Sequence, residues 1–517
     1  MADTDTRKTI AKLVEKARAA QAVAAHYSQQ QIDDACLAAG WEVYSDENIR
    51  QLAEAAVRET GMGNVDDKIK KHKGKILGVL DDIKGAVSVG LIEEIPEKGI
   101  SKYAKPVGVV GGLTPVTNPT ATPGSNAITV LKGRNAVIFA PHPRAKGCSK
   151  MAVDFMRRGL AKVGAPEDLI QIIEEPGIEL TNELMRQVDM VIATGGGPMV
   201  KAAYSSGTPA YGVGPGNAVQ IIAEDADVAD AAAKVAVSKV FDYATSCSSE
   251  NSVIVQDSVY DKALGELEKN GAYLLTAEEK KRLQDWMWKP NKKGKVTLNP
   301  AIIAQPASKI AADAGISIPE GTSILLVEGE LPVDNDPFSG EKISPVLTIW
   351  KYGSFEEGLE RLVELTDYAG TGHSCGIHTY NEEYIETLGQ EMRTSRIMVR
   401  QPQAPANGGN FYNGMPSTVT LGCGTWGGNI TTENIYYTHF LNITWVSIPF
   451  EPSRPTDEDM WGDFWKRHGK PDSGPGGQDG SDADGRPGKG PGGVGPGRGP
   501  DDKGDSGGEP AGGVGAP

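Results

Sequence analysis

The chain of 517 residues is longer than one small domain, and its length predicts two or three cooperating units. A formal net charge of −16, without a long Lys/Arg run, argues against binding to nucleic acid or anionic membranes. The five cysteines form no CxxC pair, and the chain shows neither a secretory signal nor an apolar run of about 18 residues. These features predict a cytoplasmic protein with small-molecule partners and no disulfide framework.

The elements in chain order begin with helices. Apolar residues recur at helical spacing from Thr6 to about Ala39, which predicts an amphipathic helical start. From Val107 onwards, helix-like stretches such as APEDLIQIIEE (165–175) alternate with short β-rich runs, namely VGVVGGL, NAVIFA, MVIAT and SVIV. This alternation predicts a parallel α/β architecture.

Two α/β lobes, residues 1–239 and 240–430, are predicted with a ligand cleft between them. The second lobe contains SILLVEG and PVLTIW as buried strands and SFEEGLERLVELTD as a helix. Residues 431–469 include FLNITWVSIPF, a β-prone segment that could pair with another strand or with another subunit. A homodimer or homotetramer is therefore expected.

The last segment, residues 470–517, has a different composition. Its 48 residues include 18 Gly and 8 Pro and almost no large apolar side chains. Such a segment cannot bury enough surface to offset its ordering entropy, so it is predicted to be a disordered tail. A solubility or tethering role is the simpler interpretation, and partner binding is the alternative.

Cys247 lies in FDYATSCSSENSVIV, among small and hydroxyl residues that indicate a cleft-facing loop. Alone, this segment favours a small buried cysteine over a nucleophile. Five segments in order, however, resemble the aldehyde dehydrogenase superfamily over about residues 7–450: PVGVVGGLTPVTNPT, GGGPMVKAAYSSGTPAYGVGPGNA, the Cys247 segment, GEKISPVLTIW and TLGCGTWGGNITTEN. Residues 117–120, 141–146 and 422–429 are similar to its coenzyme-A-acylating branch.

The resemblance implies an α/β fold with a Rossmann-type nucleotide-binding lobe, a catalytic lobe and a β oligomerisation element. It implies that the thiolate of Cys247 attacks an aldehyde carbonyl. Asn118 and the main-chain N–H of Cys247 would then donate hydrogen bonds to the oxyanion. Hydride would leave for a nicotinamide ring, and an enzyme thioester would remain.

The resemblance also implies the cofactor site. The residues matched to it are Thr194, Gly195, Gly196 and Gly197, in a turn between a strand and a helix, together with Glu341 for the nicotinamide ribose and His142 near the adenine ribose. Ala145 stands roughly where relatives carry a glutamate that selects NAD, so both NAD and NADP remain open. No metal site is predicted.

The segment 211–217 lacks a residue that hydrolytic relatives have. Their general base is a glutamate roughly 34 residues before the nucleophile, but this chain reads Tyr-Gly-Val-Gly-Pro-Gly-Asn there. None of these side chains can take a proton from water. The resemblance therefore implies a persistent thioester and coenzyme A as the acyl acceptor.

Three further candidates have open roles. His373, in a glycine-flanked loop, could assist deprotonation of a thiol, contact coenzyme A or be structural. Cys375 and Cys423 have no partners at metal-ligand spacing, so structural roles are predicted for both. The basic residues of PHPRAKGCSK could contact coenzyme A phosphates or simply begin an exposed helix.

The substrate follows least directly from the sequence. A small aldehyde such as acetaldehyde or propionaldehyde is favoured. The alternative is sulfoacetaldehyde, because VRQPQAPANGGNFYNG (399–414) is similar to enzymes that act on it and places Arg400 where a neutral residue is common. A surface role for Arg400 is the competing interpretation. The rival classes are a hydrolytic aldehyde dehydrogenase and a noncatalytic scaffold whose tail contacts partners or a microcompartment shell.

Overall fold

A computed structural model describes residues 4–291 and 294–471. The predicted tail lies outside the described residues from position 472 onwards. The chain divides into two units, residues 1–450 and 451–517, and each is described by itself.

The α-helices of the described residues are α1 Thr4–Ala24, α2 Gln29–Tyr44, α3 Asp46–Thr60, α4 Val65–Ile83, α5 Ala121–Lys132, α6 Lys146–Lys162, α7 Ile178–Gln187, α8 Gly197–Tyr204, α9 Val228–Val240, α10 Tyr260–Lys269, α11 Ala277–Met287, α12 Ala307–Asp313, α13 Phe355–Tyr368, α14 Glu382–Glu391, α15 Gln403–Ala406 and α16 Asp457–His468. None of these helices is long and apolar enough to cross a membrane.

The strands of the same residues are β1 Gly90–Ile95, β2 Ile100–Pro106, β3 Val109–Leu113, β4 Ala136–Ala140, β5 Ile170–Ile172, β6 Met190–Thr194, β7 Ala210–Val213, β8 Ala218–Ile222, β9 Glu250–Gln256, β10 Ala272–Leu274, β11 Trp288–Pro290, β12 Val296–Leu298, β13 Ile324–Glu328, β14 Val346–Tyr352, β15 Cys375–His378, β16 Ile397–Val399 and β17 Leu441–Ser447.

The predicted helical start is two helices, α1 and α2. Ser28 ends the connection between them, because its hydroxyl accepts a hydrogen bond from the N–H of Gln31 while the Gln31 side chain accepts one from Ser28. This reciprocal cap begins α2. The apolar face of α1, with Ile10 and Val14, packs into the core of the first parallel sheet.

The first parallel sheet has five strands in the order β5-β4-β3-β6-β7. Every residue of β3 and β4 is buried. Continuous apolar runs of this kind are typical of parallel strands that are covered on both faces. Helices α1, α2, α5 and α6 share one hydrophobic cluster with these strands. The glycine turn predicted after MVIAT joins β6 to α8.

The second parallel sheet has seven strands in the order β10-β13-β14-β9-β8-β15-β16. The predicted strands SVIV, SILLVEG and PVLTIW correspond to β9, β13 and β14, and SFEEGLERLVELTD forms α13. Both sheets are parallel and alternate with helices. The predicted α/β fold is therefore confirmed.

One segment predicted as a helix is a strand. APEDLIQIIEE contains only a short 3₁₀ turn, Glu167–Leu169, before β5. Ile170 and Ile172 are buried, and β5 pairs with β4 at the edge of the first sheet. A short apolar run does not distinguish a helix from a buried strand. The β-branched isoleucines suit a pleated surface, and pairing with β4 decides the outcome.

The change from the first sheet to the second occurs between β7 and β8, at residues 214–217. The sequence placed the boundary between lobes later, at 239/240. In agreement with the earlier change, helix α9 packs in the core of the second sheet with β8 and β9. The change of sheet occurs between β7 and β8 because glycine and proline residues there allow the chain to turn.

A three-stranded antiparallel sheet has the order β1-β2-β17, and β17 is the LNITWVS part of FLNITWVSIPF. This strand lies at the edge of its sheet. Ile443, Trp445 and Val446 are exposed there, together with Ile448 just beyond it. An edge strand with large exposed apolar side chains is suited to pairing with another chain.

Residues 451–471 of the second unit contain α16. The hydroxyl of Thr456 accepts from the N–H of Asp459 at 3.1 Å, and the Asp459 carboxylate accepts from the N–H of Thr456 at 2.8 Å. Acidic residues occupy the first turn and basic residues the last, which complements the helix dipole.

Candidate active site

A cavity of about 390 Å³ brings together most of the residues predicted for the site. The predicted residues that line it are Cys247, Asn118, Thr194, Gly195, Gly196, Glu341 and His142. Gly197 is the first residue of α8 and is not among the described residues that line the cavity. Residues from distant parts of the chain therefore meet at one place.

Cys247 and His373 are in direct contact. Nε2 of His373 lies 3.1 Å from Sγ of Cys247, and its Nδ1 lies 3.0 Å from Oγ of Ser374. Burial, together with the charge of Arg396, lowers the pKa of His373 to about 3. Burial, with a contribution from Glu341, raises the pKa of Cys247 to about 12. At neutral pH the pair is therefore a thiol and a neutral imidazole, whose Nε2 accepts a proton when Nδ1 carries the hydrogen.

Arg396 holds the loop that carries His373. Its guanidinium donates to the carbonyl oxygens of His373 at 3.0 Å and Gly422 at 2.6 Å. It also donates to Oδ1 of Asn434 at 3.2 Å. Arg396 is buried, and its charge lowers the pKa of Cys247, opposing the effect of burial. No local pattern in the sequence identifies this residue, because its charge reaches the cysteine only in the folded chain.

Lys71 joins the two segments predicted to carry the chemistry. Its Nζ donates to Oδ1 of Asn118 at 2.7 Å, Oδ2 of Asp242 at 2.6 Å and Oγ1 of Thr245 at 2.6 Å. Lys68 also donates to Asp242, at 3.1 Å. Because Lys71 donates to the side-chain oxygen Oδ1 of Asn118, the side-chain nitrogen Nδ2 of Asn118 is left to donate in the cavity.

The chain just before Cys247 has an uncommon conformation. Residues 242–244 have three consecutive positive φ angles of 50°, 53° and 60°. Residues other than glycine rarely adopt this region, and such turns need support from their surroundings. Here the carboxylate of Asp242 accepts from the N–H of Asn64 at 3.0 Å, and the N–H of Asp242 donates to Asp67 at 2.9 Å. Helix α4 and its cap thus support the turn that presents the cysteine.

Three lysines of α4, which were not among the predicted site residues, also line the cavity. Lys70, Lys71 and Lys75 face a site in which Glu341 is the single carboxylate among the described lining residues. The charged side chains that line the cavity are therefore mostly cationic, although the chain as a whole carries −16. The three lysines belong to the segment KIKKHKGKI, and their helical spacing is the feature of the sequence that places them on α4. This spacing indicates a binding site only once α4 is seen to pack against the loop that carries Cys247.

The glycine turn after β6 presents main chain to the cavity. Gly195 and Gly196 line the cavity without side chains, just before the N-terminus of α8. Oγ1 of Thr194 lies 2.8 Å from Oγ1 of Thr420, which fixes the start of the turn. Free N–H groups at a helix N-terminus suit phosphate oxygens. The turn therefore fits the diphosphate or amide groups of a dinucleotide.

Glu341 and His142 lie on the same cavity. Burial raises the pKa of Glu341 to about 8, whereas the charge of Lys239 acts in the opposite direction. Nδ1 of His142 accepts from the N–H of Arg144 at 3.1 Å, and burial lowers the pKa of this histidine. A carboxyl group and an imidazole can both bind sugar hydroxyls. These two residues therefore also fit a dinucleotide.

From the segment 211–217, the described lining residues are Val213, Gly214 and Pro215, none of which has a polar side chain. A Cβ on Gly216 would lie 2.0 Å from the main-chain oxygen of Cys247, so this glycine allows the segment to pass close to the cysteine. No side chain that lines the cavity from this segment can accept a proton from water. The described site therefore offers no general base at the position that hydrolytic relatives use.

Arg400 is not among the described residues that line the cavity. Its Nη1 donates to the carbonyl oxygen of Thr379 at 2.6 Å, and its guanidinium lies 4.8 Å from the centre of the Tyr380 ring. These contacts favour a structural role over contact with a substrate tail.

Cys375 and Cys423 are both buried. Sγ of Cys375 lies 3.4 Å from Oγ1 of Thr394, and the thiol of Cys423 donates to the carbonyl oxygen of Leu421 at 3.5 Å. Over residues 4–291 and 294–471, no group of three or more His, Cys, Asp or Glu side chains could hold a metal ion.

Comparison with known proteins defines the class. The model of the aldehyde dehydrogenase family matches residues 2–286. A sulfoacetaldehyde dehydrogenase of Acholeplasma sp is 65% identical over 88% of this chain and 94% of its own length. A sulfoacetaldehyde dehydrogenase (acylating) of Bilophila wadsworthia is 62% identical over 90% and 100%. The crystal structure of an acetylating aldehyde dehydrogenase from Geobacillus thermoglucosidasius has a TM-score of 0.83 and 36% identity, and the match covers 87% of this chain and 99% of that one.

The chain belongs to the aldehyde dehydrogenase family. The prediction of an acylating aldehyde dehydrogenase, an oxidoreductase that acts on an aldehyde group, is confirmed. The predicted cosubstrates, NAD(P)⁺ and coenzyme A, are those of this class of enzyme.

Proposed function

We propose that the enzyme oxidises sulfoacetaldehyde with NAD(P)⁺ and coenzyme A to sulfoacetyl-CoA and NAD(P)H. The observation that carries this substrate is the cationic lining of the cavity: three lysines and one carboxylate line it among the described residues, and Lys75 donates only to main-chain carbonyl groups. An anionic tail gains from cationic walls, whereas acetaldehyde has no charge to pair. The names of the two relatives above support the same substrate. We therefore favour sulfoacetaldehyde over the acetaldehyde-like substrate that the sequence favoured.

The arrangement of the site supports a thioester mechanism. Sγ of Cys247 attacks the carbonyl carbon of the aldehyde, and its proton passes to the neutral Nε2 of His373, 3.1 Å away. The oxyanion accepts from the amide of Asn118 and from the main-chain N–H of Cys247. Bound NAD(P)⁺ supplies the hydride acceptor. Cys247 is left as a thioester, which exchanges with the thiol of coenzyme A.

We assign the binding of the nicotinamide cofactor to the residues that fit it. The turn of Thr194, Gly195 and Gly196 contributes main-chain groups, and the N-terminus of α8 at Gly197 contributes its dipole. Glu341 binds ribose hydroxyls. His142 lies on the same cavity and binds the adenine ribose of the cofactor. Both NAD and NADP remain candidates for that cofactor.

We also propose that the enzyme self-associates and is cytoplasmic. The exposed apolar side chains of β17 and its position at a sheet edge support a homodimer or homotetramer. The free cysteines of the described residues support a reducing, cytoplasmic location.

Turnover should be highest with sulfoacetaldehyde and should require coenzyme A. We expect kcat/KM for sulfoacetaldehyde to exceed that for propionaldehyde by about 30-fold or more, because propionaldehyde is of similar length but uncharged. Added salt should raise KM for sulfoacetaldehyde alone. The measurement is NAD(P)⁺ reduction with each aldehyde, with and without coenzyme A.

Two results would contradict this function. A kcat/KM for propionaldehyde that equals or exceeds the value for sulfoacetaldehyde would identify an enzyme of neutral aldehydes. Sustained turnover without coenzyme A would identify a hydrolytic enzyme, whose general base would lie outside residues 211–217.

The reactivity of Cys247 should rise steeply with pH in the ligand-free enzyme. Its thiolate fraction is small at neutral pH because burial raises its pKa to about 12. Alkylation by iodoacetamide should therefore accelerate about tenfold per pH unit between about pH 7 and 9, without a plateau. Mass spectrometry of the Cys247 peptide measures this rate. A plateau near neutral pH would show that His373 and Arg396 already hold a thiolate.

A further inference from the structure

We infer that Lys75 binds the sulfonate group of the substrate. The inference rests on the proposed function and assigns the anionic end of the aldehyde to one side chain. Lys75 lies on α4 and lines the same cavity as Cys247. Both ends of the substrate would therefore be bound within one cavity.

The three lysines of the cavity differ in their partners. Lys71 is already bound to Asp242, and Lys70 pairs with Asp67 at 3.2 Å, with a side chain that is 70% exposed. Lys75, in contrast, has no carboxylate within ion-pair distance among residues 4–291 and 294–471. Of the three, Lys75 is thus the cation that still lacks a counter-ion.

The partners of Lys75 leave one hydrogen for a ligand. Its Nζ donates to the carbonyl oxygens of Gly408 at 2.7 Å and Gly409 at 3.2 Å. An ammonium group has three N–H donors, so one remains available. The two carbonyl groups fix Nζ beside the cavity. A sulfonate oxygen would accept the third hydrogen in a charge-assisted hydrogen bond.

The electrostatic surroundings of Lys75 also favour an anion. Burial and the charge of Lys71 lower the pKa of Lys75 to about 8, whereas Asp82 and a thiolate at Cys247 act in the opposite direction. A partly buried cation of this kind is stabilised by a negative charge at contact distance. The sulfonate group supplies that charge when the substrate binds.

Two glycines make the position of Lys75 possible. A Cβ on Gly408 would lie 2.6 Å from Nζ of Lys75 and 2.6 Å from the carbonyl oxygen of Thr418. Gly409 has a φ of +78°, which disfavours any residue with a Cβ. Both glycines belong to the segment 399–414 that is similar to sulfoacetaldehyde enzymes. We therefore connect that similarity with Lys75 rather than with Arg400.

Substitution of Lys75 tests the assignment. Lys75→Met removes the charge but keeps the stem, and Lys75→Arg keeps the charge. Lys73→Met is the control, because Lys73 lies on the same helix, pairs with Asp46 and is not among the described lining residues. We expect Lys75→Met to lower kcat/KM for sulfoacetaldehyde by about 30-fold or more, through KM, and to lower the propionaldehyde value at most a few-fold. Lys75→Arg should recover most of the loss.

The outcomes separate this inference from the proposed function. Equal losses on both aldehydes, or a comparable loss in Lys73→Met, would overturn the role of Lys75. A wild-type enzyme that does not use sulfoacetaldehyde would instead refute the proposed function.

Inhibition of propionaldehyde oxidation by ethanesulfonate tests the anion site without an aldehyde group on the probe. Its Ki should rise about 30-fold in Lys75→Met. An unchanged Ki, or no inhibition of the wild-type enzyme, would also overturn the inference.

Discussion

Cys247→Ala should abolish NAD(P)⁺ reduction, with kcat lower by more than about 10⁴-fold. The methyl group of alanine cannot attack a carbonyl carbon, so no thioester forms and coenzyme A has no acyl group to accept. Asn118 and Lys75 do not contact the cysteine sulfur by hydrogen bonds, so aldehyde binding should persist. Intact-mass measurement after incubation with aldehyde and NAD(P)⁺, without coenzyme A, should show an added acyl group on the wild-type enzyme alone.

Cys36→Ala is the matched control for this substitution. Cys36 is a buried free cysteine on α2, and its thiol lies 3.6 Å from the carbonyl oxygen of Ile128. Burial raises its pKa to about 12, as it does for Cys247. We expect Cys36→Ala to retain turnover and acyl labelling. If Cys247→Ala matched it in turnover, the thioester mechanism would be contradicted.

The sequence predicted the parallel sheets well because their strands carry strong local signals. VVGGL, AVIFA and VLTIW are short, mostly apolar runs next to glycine, proline or charged residues, and each is a buried strand. Burial on both faces removes the need for alternation, so the run itself is the signal. In APEDLIQIIEE the apolar run is shorter, and only its pairing with β4 determines that it is a strand.

The residues of the site were predictable where a family motif includes them. Cys247, Asn118, Glu341 and the turn after β6 lie in motifs, and they converge on one cavity. His373 was a candidate with an open role, and only the structure shows Nε2 at 3.1 Å from Sγ of Cys247.

The charges around the site were not predictable in the same way. The lysines of α4 stand far before the cysteine in the chain, and helical spacing alone is equally typical of a solvated face. Arg396 likewise has no local signal. Which charged side chains face a cavity depends on how the helices and loops pack, and one sequence does not reveal this packing.

Lys71→Met should lower kcat by about 10²–10³-fold with little change in KM, because we propose that Lys71 acts on the oxyanion through Asn118. The substitution removes the hydrogen bond from Nζ of Lys71 to Oδ1 of Asn118, which is 2.7 Å long. The side-chain amide of Asn118 can then rotate, so its nitrogen no longer points in a fixed direction. The substitution also removes one of the two cations that contact Asp242, so the turn of residues 242–244 loses support. Steady-state kinetics with saturating coenzyme A measures the effect.

Three comparisons distinguish positioning by Lys71 from a general loss of structure. Lys71→Arg keeps the charge and should restore part of kcat, while Lys73→Met should behave like the wild-type enzyme. Because Lys71 acts through Asn118, Asn118→Ala and the double variant Asn118→Ala/Lys71→Met should have nearly the same kcat. Additive losses in the double variant would mean that Lys71 acts independently of Asn118. A lowered melting temperature that accompanies equal losses on every aldehyde would assign Lys71 to the stability of the cysteine turn. The pair Lys71 and Asn118 is thus expected to work as one unit, in which helix α4 orients the donor that stabilises the transition state.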